Sequence, residues 1–186
     1  MQPKISSRHC VDELITVFNS TFSESENTVL EKGDGEPIYL PSTDSCNVNR
    51  VVFAHGFFSS ALHEIAHWCV AGPARRQLVD YGYWYAPDGR NAEQQQEFEA
   101  VEVLPQAMEW IFAKACEKRF SVSVDNLSGI DTDPLPFKTA VHEQVMRFCH
   151  AGLTGRASLF HRKLCYFYKT PSVLSADHFS ISSLSM

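Results

Sequence analysis

No two of the six cysteines, Cys10, Cys46, Cys69, Cys116, Cys149 and Cys165, form a C-x-x-C pair. That absence argues against a cysteine-based zinc site. Basic charge is also scarce, with 16 Lys and Arg against 22 Asp and Glu and a formal net charge of −6. A general nucleic-acid binder is normally basic, so direct nucleic-acid binding is not expected. No apolar run approaches the roughly 20 residues that span a bilayer, so no membrane partner is expected either. The amino-terminal stretch MQPKISSRHCVDELITVF lacks a long apolar h-region and a small-residue cleavage site. It carries Asp12 and Glu13 within an amphipathic pattern, unlike a signal peptide. The cysteines are therefore expected as reduced, mostly buried thiols in a cytoplasmic protein. Internal repeats and low-complexity segments are missing as well.

What is present is enough apolar material for a core, 44% of 186 residues, with 20% charged. Such a chain is expected to form a single domain over residues 1–186, with a loose polar tail from about 176 to 186. Val11, Leu14, Ile15 and Phe18 share a face of a helix over about 9–20. A polar section follows, broken by PIYLP, a short strand. NRVVFAHG reads as a buried strand ending at Gly56. Ser59 or Ser60 is placed to cap a helix that runs to about Val70, where Gly72-Pro73 stops it. YGYWYAPDGR reads as an aromatic strand closed by a turn. NAEQQQEFEAVEVLPQAMEWIFAKACEKRF is helical in pattern, with Pro105 marking a kink or a second start. FSVSVDNL alternates like a strand, SGIDTDPLP is a loop, and helices follow at about 137–150 and 156–168. The fold class is thus α+β, mainly helical, with a few short strands and a zincin-like H-E-x-x-H helix.

That helix lies in SSALHEIAHWCVAG, residues 59–72. Residues four apart on a helix sit one turn apart on one face, so His63 and His67 present two imidazoles to one point. Glu64 lies about 100° round from His63, beside the point rather than on it. In zinc hydrolases the Glu at this place is the general base acting on metal-bound water, which makes Glu64 a catalytic candidate.

Two histidines need a third ligand. The extended form H-E-x-x-H-x-x-G-x-x-H would require His at 73 and Gly at 70; Pro73 and Val70 stand there. The acidic run EQQQEFEAVEV offers Glu93, Glu97, Glu99 and Glu102 instead. Phe98, Val101 and Met108 define an inward stripe, and Glu102 sits one turn beyond Phe98 between Val101 and Val103. A buried carboxylate is very costly unless paired, and metal ligation removes that cost. Glu102 is therefore the first choice, Glu99 the second, and Glu97 points more toward solvent. Two His and one carboxylate suit Zn²⁺ with an open water position in a hydrolase. The same donors suit Fe²⁺ with open positions for O₂ and substrate. Local chemistry leaves both open.

The blocks KGDGEPIYLP, NRVVFAHGFFSSALHEIAHWCVAGPARRQLVDYGYWYAPDGR, FEAVEVLPQAMEWIF and SVDNLSG resemble the bacterial elongation factor P hydroxylases. The likeness covers about residues 32 to 130 and is weaker over the last two helices. It implies an iron-dependent, oxygen-using hydroxylase acting on the β-lysylated lysine of elongation factor P, with molecular oxygen as co-substrate. It implies Fe(2+) held by His63, His67 and Glu102, zinc being the alternative in a small metallopeptidase of the H-E-x-x-H…E type. The H-x-D…H pattern of the 2-oxoglutarate oxygenases is absent. In a hydroxylase Glu64 need not be a base; it is placed to orient a water or to receive the substrate's ammonium.

A modified lysine with two amino groups calls for carboxylates and aromatic faces. Asp80, Tyr83, Trp84, Tyr85 and Asp88 are the candidates. His55 is expected as a hydrogen-bonded core residue near the motif, and His142 and His150 as ordinary helix residues. RASLFHRKLCYFYK reads as core on one face and solvated charge on the other.

Overall fold

The computed structural model describes residues 9–80, 89–124 and 133–184. Helix α1 (Val11–Phe22) buries Leu14, Val17, Phe18 and Phe22, the face its apolar spacing marks. Strand β1 (Thr28–Gly33) occupies part of the section whose sequence reads as polar and irregular. TVLEKG has no decisive alternation of its own, and its strand character comes from its partner. It pairs in parallel with β3 (Asn49–Ala54) from Thr28↔Asn49 to Gly33↔Ala54. Strand β2 (Ile38–Leu40) runs antiparallel on the other side of β3, giving the order β1-β3-β2. At Gly33 a Cβ would lie 2.6 Å from Val52 Cγ1, so glycine permits the close approach of β1 to β3.

Between β3 and the motif helix the chain turns through two left-handed residues, His55 at φ 54° and Gly56 at φ 69°. His55 is exposed there, not the core residue that its place beside the motif predicts, because the turn swings its side chain outward. Helix α2 (Phe58–Val70) has Phe57 at its N-cap and no side-chain cap. The hydroxyl of Ser60 instead accepts from the backbone N–H of Ala54 at 3.1 Å, tying the helix to the end of β3. Gly72-Pro73 does stop the helix. Its last carbonyls are taken by Arg156, whose Nη2 donates to Trp68 O at 2.8 Å and Ala71 O at 2.6 Å. The guanidinium also lies 4.5 Å from the Trp68 ring centroid. These orphan carbonyls need such a donor when the helix end is covered.

Helix α3 (Ala92–Ala115) is one helix of 24 residues, opened by a capping box of Asn91 and Gln94. Pro105 lies inside it and starts no second helix. Helices α4 (Leu135–Ala151) and α5 (Gly155–Tyr168) follow. On α5, Phe160, His161, Leu164 and Cys165 are buried while Arg162, Lys163 and Tyr166 are exposed, the two-faced pattern its sequence shows. The FSVSVDNL segment alternates in burial, with Phe120 and Val122 inside, yet its described part joins no strand of the sheet. Ser123 is tied to a side chain of α3: its N–H donates to Gln106 Oε1 at 3.0 Å, and Gln106 Nε2 donates to Ser123 O at 2.7 Å.

The elements form a single domain in which α2 packs against β3, α1, α3 and α5. Phe18, Phe22 and Trp68 make close ring contacts, at 5.1 and 4.8 Å to Trp68, and Phe160 joins them from α5. All six cysteines are free. The end of the chain departs from a loose tail. Phe179 and Leu184 are buried, and the Phe179 ring meets Trp110 edge-on at 5.2 Å. A polar composition conceals these two anchors. Among the described residues no helix is long and apolar enough to cross a membrane.

Candidate metal centre

Helix α2 presents His63 and His67 on one face, as the four-residue spacing requires, and α3 crosses it with Glu102 turned inward. His67 Nε2 lies 3.1 Å from Glu102 Oε1, His63 Nε2 lies 3.6 Å from Glu102 Oε2, and the two Nε2 atoms are 3.0 Å apart. Three ligand atoms within 4.8 Å of one another can surround one ion. Metal–ligand bonds of about 2.1 Å place neighbouring donors ~3.0–3.4 Å apart, which these spacings approach. Glu102 is 3% exposed and would be a costly residue to bury without such a role.

The surroundings hold these donors in place. Glu109, two turns beyond Glu102 on α3, lies with Oε2 2.9 Å from His63 Nδ1. With Nδ1–H donating to that carboxylate, Nε2 is left free to ligate a metal. Gln106 Nε2 donates to Glu102 Oε2 at 3.3 Å while its amide is fixed by Ser123. Neither Glu109 nor Gln106 was singled out from the sequence. Their spacing from Glu102, seven residues for Glu109 and four for Gln106 on the same helical face, is the signal that finds them.

Electrostatics agree with a cation site. Burial alone would raise the Glu102 carboxyl, but the His67 hydrogen bond, the nearby imidazoles and Gln106 bring it down to about 2. Burial alone would lower His63, but the Glu109 hydrogen bond and the charges of Glu102, Glu109 and Glu64 carry it up to about 10. Burial raises Glu64, aided by Glu102 and Glu109 and opposed by His63 and His67. Three carboxylates crowd two imidazoles, so the cluster favours positive charge in its centre. The chemistry of this donor set fits a divalent metal.

The other candidates fall elsewhere. Glu99 is partly buried and accepts from Gln95 Nε2 at 3.0 Å, and Glu97 is exposed. Val101, read as inward, is 38% exposed; the buried face of α3 runs through Phe98, Glu102, Pro105 and Gln106. Asp80 is engaged by Arg75, whose Nη2 reaches Oδ1 at 2.9 Å and whose Nε contacts Oδ2. Tyr83, Trp84, Tyr85 and Asp88 lie outside the described residues. His142 Nε2 approaches Phe179 O at 3.4 Å, away from the cluster, and His150 is exposed. Glu64 opens into a small cavity of about 30 Å³ beside His67, bounded also by Tyr39, Trp68 and Asp80.

Residues 17–179 match the family described as Elongation factor P hydroxylase. A relative from Haemophilus influenzae, "Elongation factor P lysine hydroxylase", is 49% identical over 176 residues, which is 95% of this chain and 99% of that one. A match that takes in α2, α3 and every donor between them assigns the whole domain: the chain belongs to the elongation factor P hydroxylase family.

Proposed function

We propose that this protein is an iron-dependent, oxygen-using hydroxylase that acts on the β-lysylated lysine of elongation factor P in the cytoplasm. The observation that carries the reading is the triad of His63 and His67, both partly buried, around the buried Glu102 in a chain of this family. These three residues would hold the metal. The chemistry iron brings to two imidazoles and one carboxylate is dioxygen activation. In the net reaction one oxygen atom enters a C–H bond of the lysine chain. The other leaves as water, with two protons and two electrons drawn from an external donor.

The protein's own residues define the setting. Glu109 keeps the His63 ring in one tautomer and orientation, and Gln106 fixes the Glu102 carboxylate. Trp68 walls the cavity beside Glu64 and His67, and α2 packs directly on α3. A zinc peptidase is the second reading, since the donors and Glu64 suit it equally. Against it stands the edge of β2. Tyr39 N–H donates to Asp80 O at 2.7 Å and accepts back at 3.0 Å, so that edge is taken at the point nearest the site. An extended peptide held by strand addition needs a free edge, whereas a single modified side chain does not.

The test is intact-mass measurement of β-lysylated elongation factor P after reaction with protein loaded anaerobically with iron, then given isotope-labelled dioxygen and a reductant. Gain of one labelled oxygen atom is expected. No gain with iron, together with peptide cleavage by the zinc-loaded protein that Glu64→Gln abolishes, would transfer the assignment to the peptidase.

A further inference from the structure

Among the acidic residues around the metal centre, one is conspicuous for having nothing to hold. Glu102 is bound by His67 and Gln106, Glu109 by His63, Asp80 by Arg75, and Glu26 by Arg76. Among the described residues, the Glu64 carboxylate makes no hydrogen bond or ion pair. It is nevertheless partly buried, and it lines the small cavity beside His67. The helix dictates this position. Glu64 follows His63 by one residue, so its side chain leaves α2 about 100° round from the ligand face. It stands next to the metal without pointing at it.

Charge balance indicates what it awaits. Glu64, Glu102 and Glu109 bring three negative charges to two imidazoles. A divalent metal offsets two of them and leaves one carboxylate unmatched. The cavity is of the size that admits a small polar head; Tyr39 and Trp68 wall it, and Arg75 and Arg76, which also line it, are already paired with Asp80 and Glu26. An unpaired carboxylate in a desolvated place binds a cationic hydrogen-bond donor far better than a neutral one.

Resting on the reaction proposed above, we infer that Glu64 receives an ammonium group of the β-lysyl-lysine side chain and thereby selects the modified lysine over neutral acyl-lysines. The residue touches substrate and fixes where along the chain the reacting C–H bond lies.

The experiment compares binding, without oxygen, of two forms of elongation factor P to the iron-loaded protein by calorimetry. One form carries β-lysyl-lysine; the other carries a hexanoyl group of the same length on the same lysine, without amino groups. Wild-type protein is expected to prefer the β-lysyl form by about tenfold or more. Glu64→Gln should bring that ratio close to one while metal content and circular dichroism stay as in wild type. Glu64→Asp, which keeps the charge on a shorter arm, should keep part of the preference. A Glu64→Gln protein that retains the wild-type ratio overturns the inference, and so does one that loses its metal, which would make Glu64 a ligand. Wild-type protein that binds the β-lysyl form selectively through Glu64, yet adds no oxygen, would sink the reaction and support the recognition.

Discussion

Replacing Glu109 tests whether the candidate metal centre is built as described, because Glu109 contacts His63 without belonging to the ligand group itself. Its Oε2 is 2.9 Å from His63 Nδ1 and its side chain is only 12% exposed, so the hydrogen bond is charge-assisted and poorly screened. Partners of this kind typically contribute 10–100-fold to metal affinity. Glu109→Gln keeps an acceptor oxygen but removes the charge, so it should weaken metal binding about tenfold, or ~1.4 kcal/mol. Glu109→Leu removes the acceptor as well and should approach a 100-fold loss, ~2.7 kcal/mol. The assay is competition with a calibrated chelator under anaerobic conditions, done separately with Fe²⁺ and Zn²⁺. Circular dichroism of the metal-free proteins verifies that the fold is kept. Glu99→Gln serves as the control: Glu99 accepts from Gln95, away from the cluster, and its replacement should leave affinity within about twofold of wild type. If Glu109→Leu also stays within about twofold, the His63–Glu109 contact does not orient the ligand and the reasoning fails.

Two further outcomes test the rest of the fold. Phe179 is 5% exposed against Trp110, so Phe179→Ala should cost about 3–5 kcal/mol in denaturant unfolding, where a loose tail would give no effect. His161 is buried on α5, 3.5 Å from Cys165 Sγ, and burial lowers its pKa. The unfolded chain therefore binds a proton there more readily than the folded one. This contribution to stability is present above pH 6.5 and is lost as pH falls from there toward the depressed folded value. Unfolding free energies at pH 7.5 and 5.5 should thus differ more for wild type than for His161→Leu; equal differences would refute it.

Much of the site is legible in the chain because it lies on two helices, and helical periodicity is local. The four-residue spacing of His63 and His67 needs no tertiary information. Strand β1 is the opposite case. TVLEKG becomes a strand by lying parallel to β3, twenty-one residues further on, and nothing within the six residues announces that partner. The cap of α2 fails for a similar reason. Ser60 has the right chemistry for a cap, but its hydroxyl is taken by Ala54, a contact set by the tight turn at His55-Gly56. The polar tail conceals Phe179, whose burial depends on a helix sixty-nine residues earlier.

Helix α3 explains why the inward placement of Glu102 follows from a partly incorrect premise. Around the candidate metal centre this helix is inverted: Gln95, Glu102 and Gln106 are buried while Val101 and Leu104 are exposed at 38% and 36%. Reading apolar residues as inward therefore rotates the buried face toward Val101 by about 100°. Each buried polar group is satisfied, Gln95 by Arg90 and Val124, Gln106 by Ser123, and Glu102 by the two histidines and Gln106. A fully paired polar stripe of this kind stabilises less than an apolar one would, because desolvation offsets most of what the hydrogen bonds contribute. Packing alone gives no reason for it. What it achieves is to hold one carboxylate rigidly at the mouth of two imidazoles, with Glu109 continuing the same stripe to reach His63. The departure from amphipathic pattern on α3 is thus itself the mark of the site, and it is visible only once burial is known.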